Sequence, residues 1–576
     1  MKKFRLGIEV PGGEPVWFPR GLFGTHLHYL GGTGSGKTSS LIKLIAQVMV
    51  ASVLPYTVFV IDPMGGLAEA LLNYLAHPYL CTDEVRKRLV YLEPADTDWV
   101  MPFSSLDHRD ADELYYALGR HCDCMLRTGR DHDLTTQLRL RRWLYTCFLS
   151  TAMMRYPPAA AQFLLRPGTE QHEVMLSQLP DVLQLEWAEI INAGSRERIT
   201  MLDSTRNRLA PFFSCPALSR MLSRTQNYFD VARFFREKRI VIINLDTKGK
   251  LDRNVAHAIG GLLANQIIEG ARNLSPMLVG PSILVMDEFQ HFVDDTMYEN
   301  LPLLRQRGMG VVLSHQSFDQ LIKGEVDMSS IVWQARSRVV LPNDGADADL
   351  IAQELASLNY DPKAVKDEIV SFRQKKVGQQ LVKLHGGNSV STTSSATDET
   401  RSLGGNTGTA RPLHGGALEG SKSHGESWNR GQSEKKATSV GETESWSETL
   451  VDILEDFYEV SGRTFYTFED QMRCMARDIR QLRTGQGFLK LKDDPRLRRV
   501  DFDRLAMAAT NEIIERRAEL LERNYRDASL FLPKAVVEQD WERFVSGLAG
   551  GTVIPPHLTR GIEDTRENEA DDIFLR

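Results

Sequence analysis

The chain has 576 residues, 42% of them hydrophobic and 25% charged, a globular balance spread over more length than one compact core holds, so two or three structural units are expected. Its formal net charge of −7 excludes a uniformly basic nucleic-acid coat, and any nucleic-acid contact has to come from a local positive patch such as a pore lining. Six thinly spread cysteines (Cys81, Cys122, Cys124, Cys147, Cys215, Cys474) form no disulfide framework and suit a reducing cytoplasm.

Met1 to Gly7 leads into Pro and Gly and not into an apolar run, so no signal peptide is expected. The longest apolar stretch, Leu41 to Ile61, is interrupted by Lys43, Gln47, Ser52 and Pro55 and reads as a helix followed by a strand. A cytoplasmic chain without its own membrane span is expected, peripheral to the inner membrane only through a partner. His26 to Leu30 reads as a short buried strand, and Ser39 to Ala51 as a helix with Leu41, Leu44, Ile45 and Val48 at helical spacing.

Between them lies Gly31-Gly32-Thr33-Gly34-Ser35-Gly36-Lys37-Thr38, which fits G-x-x-x-x-G-K-[ST] throughout. Glycines let the backbone curl so that N–H groups meet phosphate oxygens, and the helix N-terminus adds its dipole. Lys37 supplies a point charge for the β and γ phosphates, and Thr38 offers a hydroxyl to Mg²⁺. Gly31 to Ser39 is therefore the expected binding set for ATP.

Thr57 to Ile61 and Leu89 to Leu92 read as further strands. Asp110 to Thr151 and Met201 to Glu237 are helical in pattern, broken at Pro157-Pro158 and Pro167-Gly168, which suggests an all-helical insertion. Inside it, His121-Cys122-Asp123-Cys124 resembles half a metal site, but no second Cys-x-x-Cys or His pair completes a tetrahedron, and two half-buried helix cysteines is the better reading.

Strands resume at Ile240 to Leu245 and at Ile283 to Met286. A continuous apolar run marks a parallel strand covered on both faces. Asp287 at the end of the second is placed to hold Mg²⁺ with Thr38, and Glu288 to orient and deprotonate the attacking water. A tandem acid here marks an ATPase that splits water; the competing reading is a helix cap with a first-turn acid. The next strand, Val311 to Ser314, ends near Gln316, whose amide can sense the γ-phosphate. Just upstream, Arg305 and then Arg307 are candidates for an arginine finger inserted into a neighbouring subunit's site; a solvated basic helix end is the alternative. Arg336 and Arg338, at the strand Arg338 to Leu341, read as structural.

Residues Gly386 to Ser447 are rich in Ser, Thr and Gly and nearly free of aliphatics, so disorder is expected there. Gly378 to Leu384 and Gly485 to Leu491 echo each other as Gly-Gln-x-apolar-apolar-Lys-Leu, which predicts paired or neighbouring strands of one sheet; coincidence of spelling is the alternative. Leu505 to Tyr525 and Lys534 to Leu548 read as helices, and Arg560 to Arg576 as a loose acidic tail.

The P-loop, the strand end Ile61-Asp62-Pro63-Met64-Gly65-Gly66, the Met286-Asp287-Glu288-Phe289 strand end and the run Arg305 to Leu321 together resemble the HerA/FtsK superfamily, and within it the type IV secretion coupling proteins of the TraD/TraG kind. The resemblance spans roughly residues 20 to 360, less the helical insertion, which matches in position and character. It implies a RecA-like α/β fold with a mostly parallel sheet, an all-helical insertion and a helical C-terminal part. It implies ATP-driven translocation of DNA by a homohexameric ring, with Arg305 as the trans-acting arginine and with Lys248, Lys250 and Arg253 as phosphate contacts in a pore loop; ordinary surface charges are the equal alternative for those three. Two features depart from the pattern. The N-terminal membrane helices of coupling proteins and the leading β-barrel of HerA proteins have no counterpart in the roughly 25 residues before the P-loop.

The expected division is 1–105 and 238–385 as the two parts of the ATPase core, 106–237 as the insertion, 386–447 as a loop, 448–500 as a return to the core with a closing strand, and 501–576 as C-terminal helices and tail. The leading functional reading is a DNA translocase serving conjugation or mobile-element transfer, with relaxosome or secretion-channel partners. The second is a HerA-like regulatory ring that assembles with a nuclease or other effector. The third, a scaffold that binds ATP with little hydrolysis, conflicts with intact Lys37, Asp287 and Glu288.

Overall fold

The computed structural model describes residues 3–51, 53–96, 98–107, 111–127, 134–292, 295–323, 326–388, 443–505 and 509–550. They fall into two compact units, Met1–Tyr360 with Phe468–Arg576, and Asp361–Thr467. In chain order the strands are β1 (Lys3–Glu9), β2 (Pro15–Pro19), β3 (Leu27–Leu30), β4 (Thr57–Asp62), β5 (Leu89–Leu92), β6 (Trp99–Val100), β7 (Ile240–Asn244), β8 (Ser282–Met286), β9 (Met309–His315), β10 (Ile322–Lys323), β11 (Val326–Asp327), β12 (Ser337–Val340), β13 (Val365–Asn388), β14 (Thr443–Phe465), β15 (Gln486–Leu491), β16 (Asp494–Phe502) and β17 (Leu532–Pro533).

Eleven strands of the first unit form one sheet in the order β2-β1-β16-β15-β12-β3-β9-β8-β4-β7-β5. From β12 to β5 every pairing is parallel. Those seven strands are the ones expected from the apolar runs between His26 and Leu341. From β12 outward through β15, β16, β1 and β2 the pairings are antiparallel.

Alternation along the strands splits the core in two. Phe59, Ile61, Val241, Ile243, Leu284 and Met286 join one cluster with the helices between β6 and β7. Val58, Val60, Ile240, Ile242, Ile283 and Val285 join the other, with Leu41, Ile45 and Val48 of the helix Lys37–Met49 and with Leu67 and Leu71 of the helix Gly66–Ala76. Burial on both faces is why these strands read as unbroken apolar runs and not as alternating ones.

Between β6 and β7 the described residues are helical, the longest being Ala111–Arg127, Leu134–Met153 and Ser195–Ser214. His121 and Cys122 are buried there, the imidazole Nδ1 lying 2.6 Å from Ser105 Oγ. Among the described residues no cluster of His, Cys, Asp or Glu could hold a metal, and no helix is long and apolar enough to cross a membrane.

The C-terminal helices pack on this unit. Asn511–Tyr525 lies against the edge strand β5, where the Asn524 amide both accepts from the Tyr91 N–H at 2.9 Å and donates to the Tyr91 carbonyl at 2.9 Å. Lys534–Ala549 reaches the helical region through Arg220–Glu538 at 3.1 Å, an Arg224–Asp540 ion pair and Trp541 stacked on Phe163.

Two expectations fail. Among the described residues Gly378–Leu384 and Gly485–Leu491 are not strands of one sheet: the first is inside β13, which pairs with β14, whereas the second is in β15 of the main sheet, between β12 and β16. Nor does a loop begin at Gly386 and end at Ser447. Residues 386–388 and 443–447 continue β13 and β14, because each strand supplies the other's backbone partners there, and the second unit takes in residues 361–467. Residues 389–442 and the tail 560–576 lie outside the described residues.

Candidate active site

Strand β3 ends at Leu30, and the chain turns through Gly31 to Gly36 into the helix Lys37–Met49. The turn needs glycine in the left-handed region at Gly34 (φ 76°) and Gly36 (φ 94°). At Gly36 there is a second constraint, since an added Cβ would stand 3.0 Å from the backbone nitrogen of Gly485, whose N–H donates to the Ser35 carbonyl at 2.8 Å. Helix first-turn N–H groups have no partner within the helix, and the buried Ser35 hydroxyl has none among the described residues. The loop thus offers donors ringed around one positive end, which fits a polyphosphate, with the half-buried Thr38 beside it.

Lys37 is buried, its Nζ 2.7 Å from Glu288 Oε1 and 3.5 Å from Asp287 Oδ1. Asp287 follows the end of β8, its own N–H donating to the Ile61 carbonyl at 3.1 Å, and its Oδ1 accepts from the Ser314 hydroxyl at 2.6 Å. Glu288 is buried in a left-handed conformation (φ 47°, ψ 50°), costly for a residue with a Cβ. Besides Lys37, it accepts from Gln316 Nε2 at 2.8 Å and Gln290 Nε2 at 2.9 Å. Burial alone would raise its pKa, but the Lys37 charge and these hydrogen bonds outweigh burial and hold it below the usual range. The Thr33 hydroxyl donates to Gln316 Oε1 at 2.9 Å, so Gln316 bridges the glycine loop and the carboxylate.

Beneath this layer a relay crosses three strands. Arg338 Nε donates to His28 Nδ1 at 2.8 Å, which leaves the proton of neutral His28 on Nε2 to meet His315 Nε2 at 2.8 Å. His315 Nδ1 then donates to the Ser317 carbonyl at 3.0 Å. Burial depresses both imidazoles, His315 to about 4, and keeps them neutral. Arg338 also pairs with Glu354 and lies over Trp333 at 4.6 Å. Asp62, at the end of β4, is fully buried; its pKa is raised to about 6, first by burial and then by the Asp287 charge, against backbone donors that include Met64 and Ala68.

Lys37, Asp287, Glu288, Gln316 and Thr33 therefore meet at the carboxyl ends of β3, β8 and β9. Arg305 and Arg307 do not join them. Arg305 lies in the last turn of the helix Asp295–Gln306 and Arg307 just after it, both before the first residue of β9, so the seven residues of that strand, roughly 20 Å, separate them from the loop of the same chain. Arg305 is exposed and its charge acts on His26, at the amino end of β3. Lys248, Lys250 and Arg253 follow β7 at the same sheet end as the glycine loop; Lys248 pairs with Glu93, and the other two are exposed. Ser314, Gln290 and Asp62 were not marked as site residues from sequence, because polar side chains at or just beyond strand ends gain meaning only from spatial neighbours.

No protein-family model matches the chain, and no curated protein matches it. Among solved structures, the bacterial conjugative coupling protein TrwBdeltaN70 in an unbound form superposes with a TM-score of 0.50 at 15% identity, over 87% of this chain and 90% of its own. The plasmid coupling protein TrwB in complex with ADP and Mg²⁺ superposes with a TM-score of 0.50 at 14% identity, over 89% and 97%. What is shared is the fold, a RecA-like P-loop NTPase with a large, mostly parallel sheet and many helices.

Proposed function

We propose that this chain is a Mg²⁺-dependent ATPase whose copies form a ring, most simply a homohexamer, and move DNA in conjugative or mobile-element transfer. The observation that carries the reading is the convergence of Lys37, Asp287, Glu288 and Gln316 beside the glycine loop, with Arg305 and Arg307 on the opposite end of the sheet. The fold shared with a coupling protein that binds ADP and Mg²⁺ adds support.

Gly31 to Ser39 bind the phosphates; Thr38 and Asp287 would hold Mg²⁺, which would supply charge neutralisation at the phosphates, and Ser314 orients Asp287. Glu288 takes a proton from the attacking water, and Gln316 contacts the γ-phosphate. The Lys37–Glu288 pair couples binding to chemistry. While Lys37 rests on Glu288 the carboxylate is a weak base. Phosphate that draws Lys37 away removes the positive charge and leaves Glu288 buried, which raises its proton affinity when water has to be activated. Arg305, or Arg307 beside it, completes the neighbouring subunit's site, and Lys250 and Arg253 contact the DNA backbone.

Steady-state ATP hydrolysis with and without single- and double-stranded DNA tests this. Turnover should rise severalfold with DNA and fall by about a hundredfold or more in Lys37→Ala and Glu288→Gln, with nucleotide binding retained in the second. Turnover lost in both variants but indifferent to DNA would replace the motor with a ring regulated by a protein partner.

A further inference from the structure

The second unit is a two-stranded ribbon, β13 against β14, of 24 and 23 residues. At strand rise this is roughly 75 Å long, several times the usual strand. Among the described residues each strand of this two-stranded sheet has one edge paired and one edge open. Neither strand contains proline, and large apolar side chains stand in solvent on both faces: Leu450 is 57% and Tyr458 69% exposed on one, and Phe457 53% on the other. A lone hairpin of this kind is marginally stable in water, and a long open edge is a template for another strand.

The two strands are oppositely charged. Residues 371–383 of β13 carry Arg373, Lys375, Lys376 and Lys383 and no acid. Residues 448–459 of β14, which lie opposite them, carry Glu448, Asp452, Glu455, Asp456 and Glu459 and no base. Within the ribbon this is used: Lys383 meets Glu448 at 3.3 Å, and Lys376 pairs with Asp452. The same arithmetic applies across an open edge. Two copies related by a two-fold axis would set β13 on β13 or β14 on β14, with like charges directly opposite. Copies related by rotation about a ring axis set the basic edge of one ribbon against the acidic edge of the next, an arrangement that repeats and can close.

We propose that the ribbons of neighbouring copies pair laterally, β13 of one on β14 of the next, into a continuous antiparallel sheet that tightens the ring. The partner is a second copy of this chain, recognised by backbone hydrogen bonds along the edge and by charge across it. This rests on the ring reading above, and adds to it a self-assembly surface outside the ATPase core.

The test is the assembly state of the full chain with ATP analogue and Mg²⁺, measured by sedimentation velocity over a concentration series. Arg373→Glu with Lys375→Glu and Lys376→Glu makes both edges acidic, and Asp452→Lys with Glu455→Lys, Asp456→Lys and Glu459→Lys makes both basic. Each variant alone should need at least about tenfold more protein to assemble than the wild type. An equimolar mixture should restore assembly, since every acidic edge then finds a basic one, and damage confined to the ribbon itself would not be repaired by mixing. Variants that assemble as readily as the wild type, or a mixture as poor as its components, would overturn the ribbon pairing and leave the ring intact. A wild-type chain that stays monomeric would contradict the ring and the pairing together.

Discussion

Asp62 and Glu288 are both buried carboxylates at the edge of one cleft, and their surroundings push them in opposite directions. Glu288 has the Lys37 ammonium and two amide donors, and is held as the anion. Asp62 has backbone donors and the like charge of Asp287, and its pKa rises to about 6. An aspartate whose folded pKa lies above its unfolded value of 3.8 favours the folded state fully below pH 4, and that contribution is lost as the pH rises through 6. The stability of the nucleotide-free wild type, measured against Asp62→Asn by denaturant unfolding, should therefore fall by about 3 kcal/mol between pH 4 and pH 7.5. A difference that is flat across that range would show that Asp62 is not held protonated. At this scale the site was legible in part. Lys37, Asp287, Glu288 and Gln316 follow from a motif whose spacing is dictated by phosphate and water chemistry. The relay from Arg338 through His28 and His315 was not legible, because it joins three strands that are neighbours only in the folded sheet.

The parallel strands were readable from sequence because double burial leaves an unbroken apolar signature. Of the antiparallel extension only β15 was read, from Gly485 to Leu491; β1, β2 and β16 mix buried with exposed positions and are ordered only by topology. The repeated Gly-Gln spelling misled for a related reason. Gly485 is fixed by its contact with the phosphate loop at Gly36, whereas Gly378 lies within β13, beside Ile453 of β14. Edge protection is the other lesson at the level of elements. Strand β5 ends the sheet, and Asn524, some 430 residues further along the chain, supplies the donor and acceptor that a further strand would have given Tyr91. Asn524→Ala leaves a buried N–H and a buried carbonyl unmet and should cost about 2–4 kcal/mol of unfolding free energy. Urea denaturation would check this, and a cost under about 0.5 kcal/mol would mean that water replaces the amide.

In the proposed ring a single copy supplies half of two different sites. Its glycine loop, candidate metal ligands and candidate base lie at the carboxyl end of the sheet, and its candidate finger arginines at the amino end. Only a head-to-tail arrangement brings the two halves together, and such an interface makes a ring when its rotation closes. Any such ring has to grip DNA with a chain of net charge −7 through local loops, which puts the weight on exposed bases such as Lys250 and Arg253.

The claim that the site is completed by the neighbour is tested most directly by mixing two inactive variants. Arg305→Ala keeps the base and loses the finger, and Glu288→Gln keeps the finger and loses the base. Alone, each should hydrolyse ATP at least about a hundredfold more slowly than the wild type. Co-assembled in equal amounts, they should recover up to about a quarter of wild-type turnover, the share of interfaces that join one intact half to the other in a random ring. A mixture no more active than its components would contradict the account, as would a chain carrying both Arg305→Ala and Arg307→Ala turning over at the wild-type rate.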